Sequence, residues 1–75
     1  MKTDKITIKT QFIRLDQLLK LSGLVSSGGE AKVLILEGYV SVNGQICNMR
    51  GKKIREGDKV DIEDRGCLLV CYEAD

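Results

Sequence analysis

Four of the six residues in Arg50-Gly51-Lys52-Lys53-Ile54-Arg55 are cationic. Long basic side chains on a loop beside a sheet edge suit contacts to phosphate oxygens. Such contacts place a protein on nucleic acid without reading its sequence. The same run also fits a solvated loop whose lysines serve solubility, and the run alone does not separate the two readings. Ser27-Gly28-Gly29 offers a second chemistry. Two glycines at the start of a helix cost stability relative to alanine, but they let a ligand approach the backbone closely. The free amides of Gly28 and Gly29 can meet a phosphate at the positive end of the helix dipole. Lys32, one turn further along, can join that contact. The alternative is that the glycines only permit a tight turn between helices. Arg14 opens a helix where the dipole does not favour a cation, which hints at use by an outside ligand; pairing with Glu30 or Glu37 is the ordinary alternative. Lys20 sits four residues after Asp16, the spacing of a surface ion pair.

Catalysis finds no support. The chain has no histidine, no serine in a nucleophile-elbow pattern, and no Gly-rich loop carrying a phosphate-binding lysine. Seventy-five residues also leave little room for a pocket that buries a substrate. No enzyme, no cofactor and no small-molecule substrate is expected. Cys47, Cys67 and Cys71 form no Cys-x-x-Cys pair. Cys67 and Cys71 lie four apart in a predicted strand, ~13 Å from each other at the usual rise, too far for a disulfide. Without histidine, a metal site would need scattered thiolates and carboxylates, so three small core residues are the simpler reading.

The elements that must position these residues follow from periodicity. Thr3 to Thr10 alternates, with Ile6 and Ile8 on one side, as in a half-buried strand. Leu15, Leu18 and Leu19 give helical spacing over Leu15 to Ser22, with Asp16 in the first turn, Lys20 in the last and Gly23 as the stop. Ser27-Gly28-Gly29-Glu30 is a capping box, after which Ala31, Leu34 and Ile35 share a face up to Gly38. Three or four residues join the helices, which predicts an antiparallel or steeply crossed hairpin. Beyond Gly38 the period becomes two. Val40 and Val42 lead into Asn43-Gly44, a type I′ hairpin turn. Val60 and Ile62 mark another strand, Arg65-Gly66 a turn, and Cys67 to Tyr72 a final strand apolar on both faces. The fold class is α+β: a two-helix hairpin packed on a small, mainly antiparallel sheet of four to five short strands. Residues 1–75 read as one domain.

Composition agrees with a folded protein, at 43% hydrophobic and 31% charged residues. The apolar runs Val33 to Leu36 and Cys67 to Tyr72 are far too short to span a membrane. Met1 to Lys5 lacks the apolar stretch of a secretory signal, so a cytoplasmic location is expected. The net charge of +1 hides an asymmetry. Residues 1–57 hold 10 Lys and Arg against 5 Asp and Glu, whereas residues 58–75 hold 2 against 6. A segregated charge still makes a basic face. Phe12, Tyr39 and Tyr72 are the only aromatic residues, which argues against a stacking-platform reader of single strands. Folded or double-stranded RNA, met by shape and phosphate, fits better.

Together these residues resemble a known family. Arg14-Leu15-Asp16 with Leu18-Leu19, Gly23-Leu24-Val25-Ser26-Ser27, Glu30-Ala31-Lys32 with Ile35 and Gly38, Val42-Asn43-Gly44, and Lys53-Ile54 with Gly57-Asp58 and Val60 are similar to the S-four-type (alpha-L motif) RNA-binding domain. The similarity runs over about residues 12–63, and the Ser-Gly-Gly-Glu-Ala-Lys stretch looks most like its small stand-alone bacterial YaaA/YbcJ-like branch. The resemblance implies an alpha-L RNA-binding fold, with structured RNA, ribosomal or transfer RNA, held against the hairpin and the adjoining basic loop. It carries the contact role onto Arg14, Ser27, Lys32, Asn43, Gly44 and the basic residues before Gly57, which are Arg50, Lys52, Lys53 and Arg55. Many members place arginine directly after the serine, where this chain has Gly28, leaving more of the contact to the Gly28 and Gly29 amides. It implies an accessory factor in ribosome assembly or translation. The alternative is a protein-interaction adaptor that kept the fold and lost RNA affinity, suggested by Gly28 and the acidic residues Asp58, Asp61, Glu63, Asp64, Glu73 and Asp75.

Overall fold

Leu15, Leu18 and Leu19 are fully buried on one face of α1 (Leu15–Ser22) in the computed structural model, which describes residues 3–74. Met1 and Lys2, part of the stretch compared above with a secretory signal, lie outside the described residues, as does Asp75 of the acidic segment. Helix α1 stops at Gly23, whose φ of 79° needs no Cβ and whose amide returns to the Lys20 carbonyl. Helix α2 (Gly28–Leu36) is capped by Ser27, whose Oγ accepts from the Glu30 amide. The glutamate half of the capping box differs from the usual form. Glu30 reaches one residue further back and accepts from the Ser26 amide at 2.8 Å. At the other end Gly38, with φ 85°, donates to the Ile35 carbonyl and Tyr39 to that of Leu34. This paired closure satisfies two carbonyls that the helix end would otherwise strand.

The strands are β1 (Thr3–Ile8), β2 (Ile13–Arg14), β3 (Val40–Val42), β4 (Gln45–Ile46), β5 (Lys53–Ile54), β6 (Lys59–Ile62) and β7 (Gly66–Tyr72). Five form one sheet in the order β1-β7-β6-β3-β4. Asn43 and Gly44 turn β3 into β4 with φ values of 52° and 85°, the double positive pair that a two-residue hairpin requires. The sheet is mainly antiparallel, as expected, but two pairings had no local signal. β1 runs parallel to β7, from Thr3 beside Cys67 to Ile8 beside Tyr72. β2 and β5 form a separate two-stranded antiparallel sheet. Neither pair is joined by a tight turn, so no hairpin motif announces it in the sequence.

Register explains the core. Val42, Val60 and Leu68 lie side by side on successive strands, and Val40 lies beside Ile62. These residues and Val70 are buried against Leu15, Leu18 and Leu19 of α1 and Ala31 and Ile35 of α2. The opposite sheet face carries Ser41, Asp61, Cys67 and Thr3 in one row. β7 is apolar on both faces: Leu68 and Val70 enter the core, and Cys67, Leu69 and Cys71 alternate with them on the other face, where Cys67 is also buried.

The three cysteines are free thiols. Cys67 is 5% exposed, and burial together with the neighbouring Asp61 pushes its thiol above the usual cysteine range. At pH 8, iodoacetamide is therefore expected to label Cys47 and Cys71 well before Cys67, with the three equalised in urea. Peptide mapping by mass spectrometry checks this, and early labelling of Cys67 would contradict the register of β7.

Candidate nucleic-acid interface

The two-stranded sheet gathers most of the expected cations. Ile13 pairs with Ile54 and Arg14 with Lys53. Ile54 is fully buried and Ile13 half-buried, so alternation turns Arg14 and Lys53 outward. Extending the register by one residue sets Phe12 opposite Arg55, on that same outward face. The side chains bear this out: Lys53 Nζ lies 4.8 Å from the centre of the Phe12 ring, and the Arg55 guanidinium carbon 5.8 Å from it. Three cations and one aromatic ring thus share a small, rigid, exposed surface.

Arg50 and Lys52 are held beside that surface by the backbone. The Leu15 amide donates to the Lys52 carbonyl at 2.9 Å, and the Asp16 amide to the Arg50 carbonyl at 3.0 Å. Two amides at the start of α1, which no intrahelical carbonyl can serve, are satisfied by the basic segment itself. The segment is bonded to the helix through its carbonyls, leaving its side chains exposed. Gly51 lies against the Arg14 guanidinium, 3.8 Å from where a Cβ would stand. Arg14 pairs with Asp16 at 3.2 Å, so the ordinary partner expected in Glu30 or Glu37 is neither of these. Asp16 spends its other oxygen on the Gln17 amide, and the pairing of Asp16 with Lys20 does not form. The nearer cation at the end of the preceding strand captures the carboxylate first.

The second cluster lies at the opposite end of the hairpin. The start of α1 and the end of α2 both meet residues 48–52, the latter through Asn48, whose amide donates to the Ile35 carbonyl. The other ends, joined through residues 23–27, meet the β6–β7 turn, where Arg65 donates to the Leu24 carbonyl at 2.9 Å. Ser27, Gly28 and Gly29 are therefore roughly one helix length, ~12 Å, from the Arg50–Arg55 segment, with Lys32 about one turn nearer to it. All four are exposed. Ser27 serves the Glu30 amide with its Oγ and the Ala31 amide with its carbonyl. The amides of Gly28 and Gly29, ahead of these, are the orphan donors of the helix start.

Arg65 adds a cation to this end that the sequence reading, which saw only a turn, did not place in the site. It sits 3.2 Å from Glu30. The Ser26 amide and the Arg65 guanidinium hold the Glu30 carboxyl below its ordinary range. Asn43 and Gly44 adjoin the first cluster through Asp58, whose other oxygen accepts from the Arg55 amide at 2.9 Å. The Asn43 side chain donates to Asp58 at 3.0 Å and accepts from the Lys59 amide at 2.9 Å. Both of its functional ends tie the β3–β4 turn to the Gly57-Asp58 turn. Among the described residues, no group of three or more His, Cys, Asp or Glu is placed to hold a metal ion, and no helix is long and apolar enough to cross a membrane.

Comparison with known proteins adds to this geometry. The family model of the S4 domain matches residues 6–70, beyond the stretch of about 12–63 that carries the motif, and so takes in half of β1 and most of β7. The chain is 45% identical over 65 residues to the probable ribosome maturation protein RlbA of Bacillus subtilis (strain 168), covering 87% of this chain and 92% of that protein. It is 34% identical over 69 residues to the small ribosomal subunit protein uS4 of Anaeromyxobacter sp. (strain K), and 38% identical over 61 residues to that of Neorickettsia sennetsu. Those two matches cover 92% and 81% of this chain, but only 33% and 30% of the uS4 proteins.

Asn43→Ala removes two side-chain hydrogen bonds and forces alanine into a left-handed backbone. It is expected to lower stability by about 1–3 kcal/mol in urea denaturation. Wild-type stability in that variant would remove the structural role given to this side chain.

Proposed function

The chain belongs to the S4 domain family, and on that premise we propose that it binds structured RNA as an accessory factor in ribosome assembly. The single observation that carries this reading is the basic surface of β2, β5 and the 50–52 segment. Arg14, Arg50, Lys52, Lys53 and Arg55 are exposed there on a backbone locked to the start of α1. Fixed cations lose less freedom on meeting a phosphate than cations on a mobile loop. Ser27, Gly28 and Gly29 supply a second contact about one helix length away, with Lys32 one turn nearer, a spacing that suits two phosphate tracks of a folded RNA better than one point on a single strand. Asn43 and Gly44 shape the turn beside that surface, and the second Nδ2 hydrogen of Asn43 is left for a contact of its own.

Ribosomal RNA is the favoured ligand, supported by the names of the ribosome maturation and small-subunit relatives; transfer RNA is the competitor to test against it. The protein acts without catalysis of its own, as one cytoplasmic domain. A second reading, the protein-interaction adaptor, draws support from apolar side chains left in solvent. Val33 and Leu36 of α2 are each 56% exposed, and Ile46 and Met49 more so.

Salt dependence separates the two. With four to six cations on phosphates, log K is expected to fall against log salt with a slope of roughly −3 to −5. Changing Lys52, Lys53 and Arg55 to alanine is expected to flatten it by about 2–3 units. No binding to structured ribosomal RNA, or a slope untouched by the triple change, would favour the adaptor. Gly29→Ala tests the helix start, because the new methyl meets only Ser27 Oγ at 3.8 Å. Stability is expected to rise by about 0.4–1 kcal/mol while affinity drops. Unchanged affinity would confine the glycines to a turn-forming role.

A further inference from the structure

We infer that Phe12 is a stacking platform for one unpaired nucleotide, so that the ligand is RNA carrying a bulge, loop or end beside its helix. The inference rests on the RNA-binding reading and narrows it. Three aromatic residues are too few to read a run of bases, but one ring in the right place reads one base. Phe12 is 41% exposed, although a phenyl ring gains by burial and the half-buried Ile13 lies next to it in the chain. Its backbone is held by Thr10, whose Oγ1 donates to the Phe12 carbonyl at 2.7 Å. The register of β2 with β5 sets the ring on the outward face with Arg14, Lys53 and Arg55.

That surrounding matters more than exposure alone. Lys53 and Arg55 lie against the ring at 4.8 Å and 5.8 Å, near enough for cation–π attraction. A base that stacks on the face Lys53 covers displaces the ammonium, which turns to that nucleotide's own phosphate, so stacking and charge act on the same nucleotide. Bases within an A-form helix are already stacked on their neighbours and present no free face; only an unpaired base can reach the ring. Every base has a π-face, so the preference is for an unpaired position rather than for a base type.

The experiment compares two labelled two-stranded RNA duplexes of identical sequence and blunt ends, one fully paired and one with a single-nucleotide bulge, by fluorescence anisotropy. The wild-type chain is expected to favour the bulged RNA by about 5- to 100-fold. Phe12→Leu is expected to abolish that preference, weakening binding to the bulged RNA several-fold more than binding to the paired one. Phe12→Tyr is expected to keep it, and circular dichroism confirms that both variants are folded. A Phe12→Leu chain that still prefers the bulge, or that weakens equally on both RNAs, overturns the stacking role and leaves RNA binding standing. Absence of salt-dependent binding by wild type to either duplex overturns the RNA-binding reading and this inference with it.

Discussion

Two backbone hydrogen bonds hold the arrangement together: Leu15 to the Lys52 carbonyl and Asp16 to the Arg50 carbonyl. A helix start needs acceptors, and a cationic segment needs to be kept from scattering into solvent. Here each need is met by the other. The carbonyls of 50–52 turn toward α1, which leaves the side chains of the same residues no course but outward. Ile54, buried next to them, anchors the far end of the segment in the core. A basic run that would be mobile as a free loop thus becomes a surface of defined shape.

Electrostatics are arranged around that surface by local pairing. Asp16 balances Arg14 at one end of the hairpin and Glu30 balances Arg65 at the other. Arg50, Lys52, Lys53 and Arg55 have no carboxylate bridging them among the described ion pairs, so most of the positive field comes from the segment between β4 and the Gly57-Asp58 turn. Exposed pairs such as Arg14–Asp16 contribute little to stability. What they contribute is position, holding each guanidinium against one element of the frame.

Much of this was legible in the sequence because it is local. The spacing of Leu15, Leu18 and Leu19, the Ser27–Glu30 box, Gly38 and Asn43-Gly44 each act within a few residues, and each forms the element read from it. What escaped was set by distant partners. No neighbour of Thr3–Ile8 announces a parallel pairing with Gly66–Tyr72, and no neighbour of Phe12 announces Lys53 and Arg55. Arg65 was read as a turn because its acceptor, the Leu24 carbonyl, is far away along the chain. The site residues were named individually from type and spacing. Their division between two ends of one hairpin is a property of the packed helices, and periodicity does not carry it.

The parallel pairing of β1 with β7 has a consequence in time. A ribosome delivers this chain from its N-terminal side, so β1 emerges long before the strand it will lie beside. Until then Ile6 and Ile8 have no sheet to join, and Asp4, Lys5 and Thr7 in the same segment guard it against wrong edge pairing. The helices and the cationic segment are also made before β7, which supplies Leu68 and Val70 to the core beneath them. Long-range pairing of this kind is slow to nucleate, because chain entropy is lost before contact is gained. Leu68 and Val70 reach the core only with β7, so the packing beneath the helices is the last to be supplied.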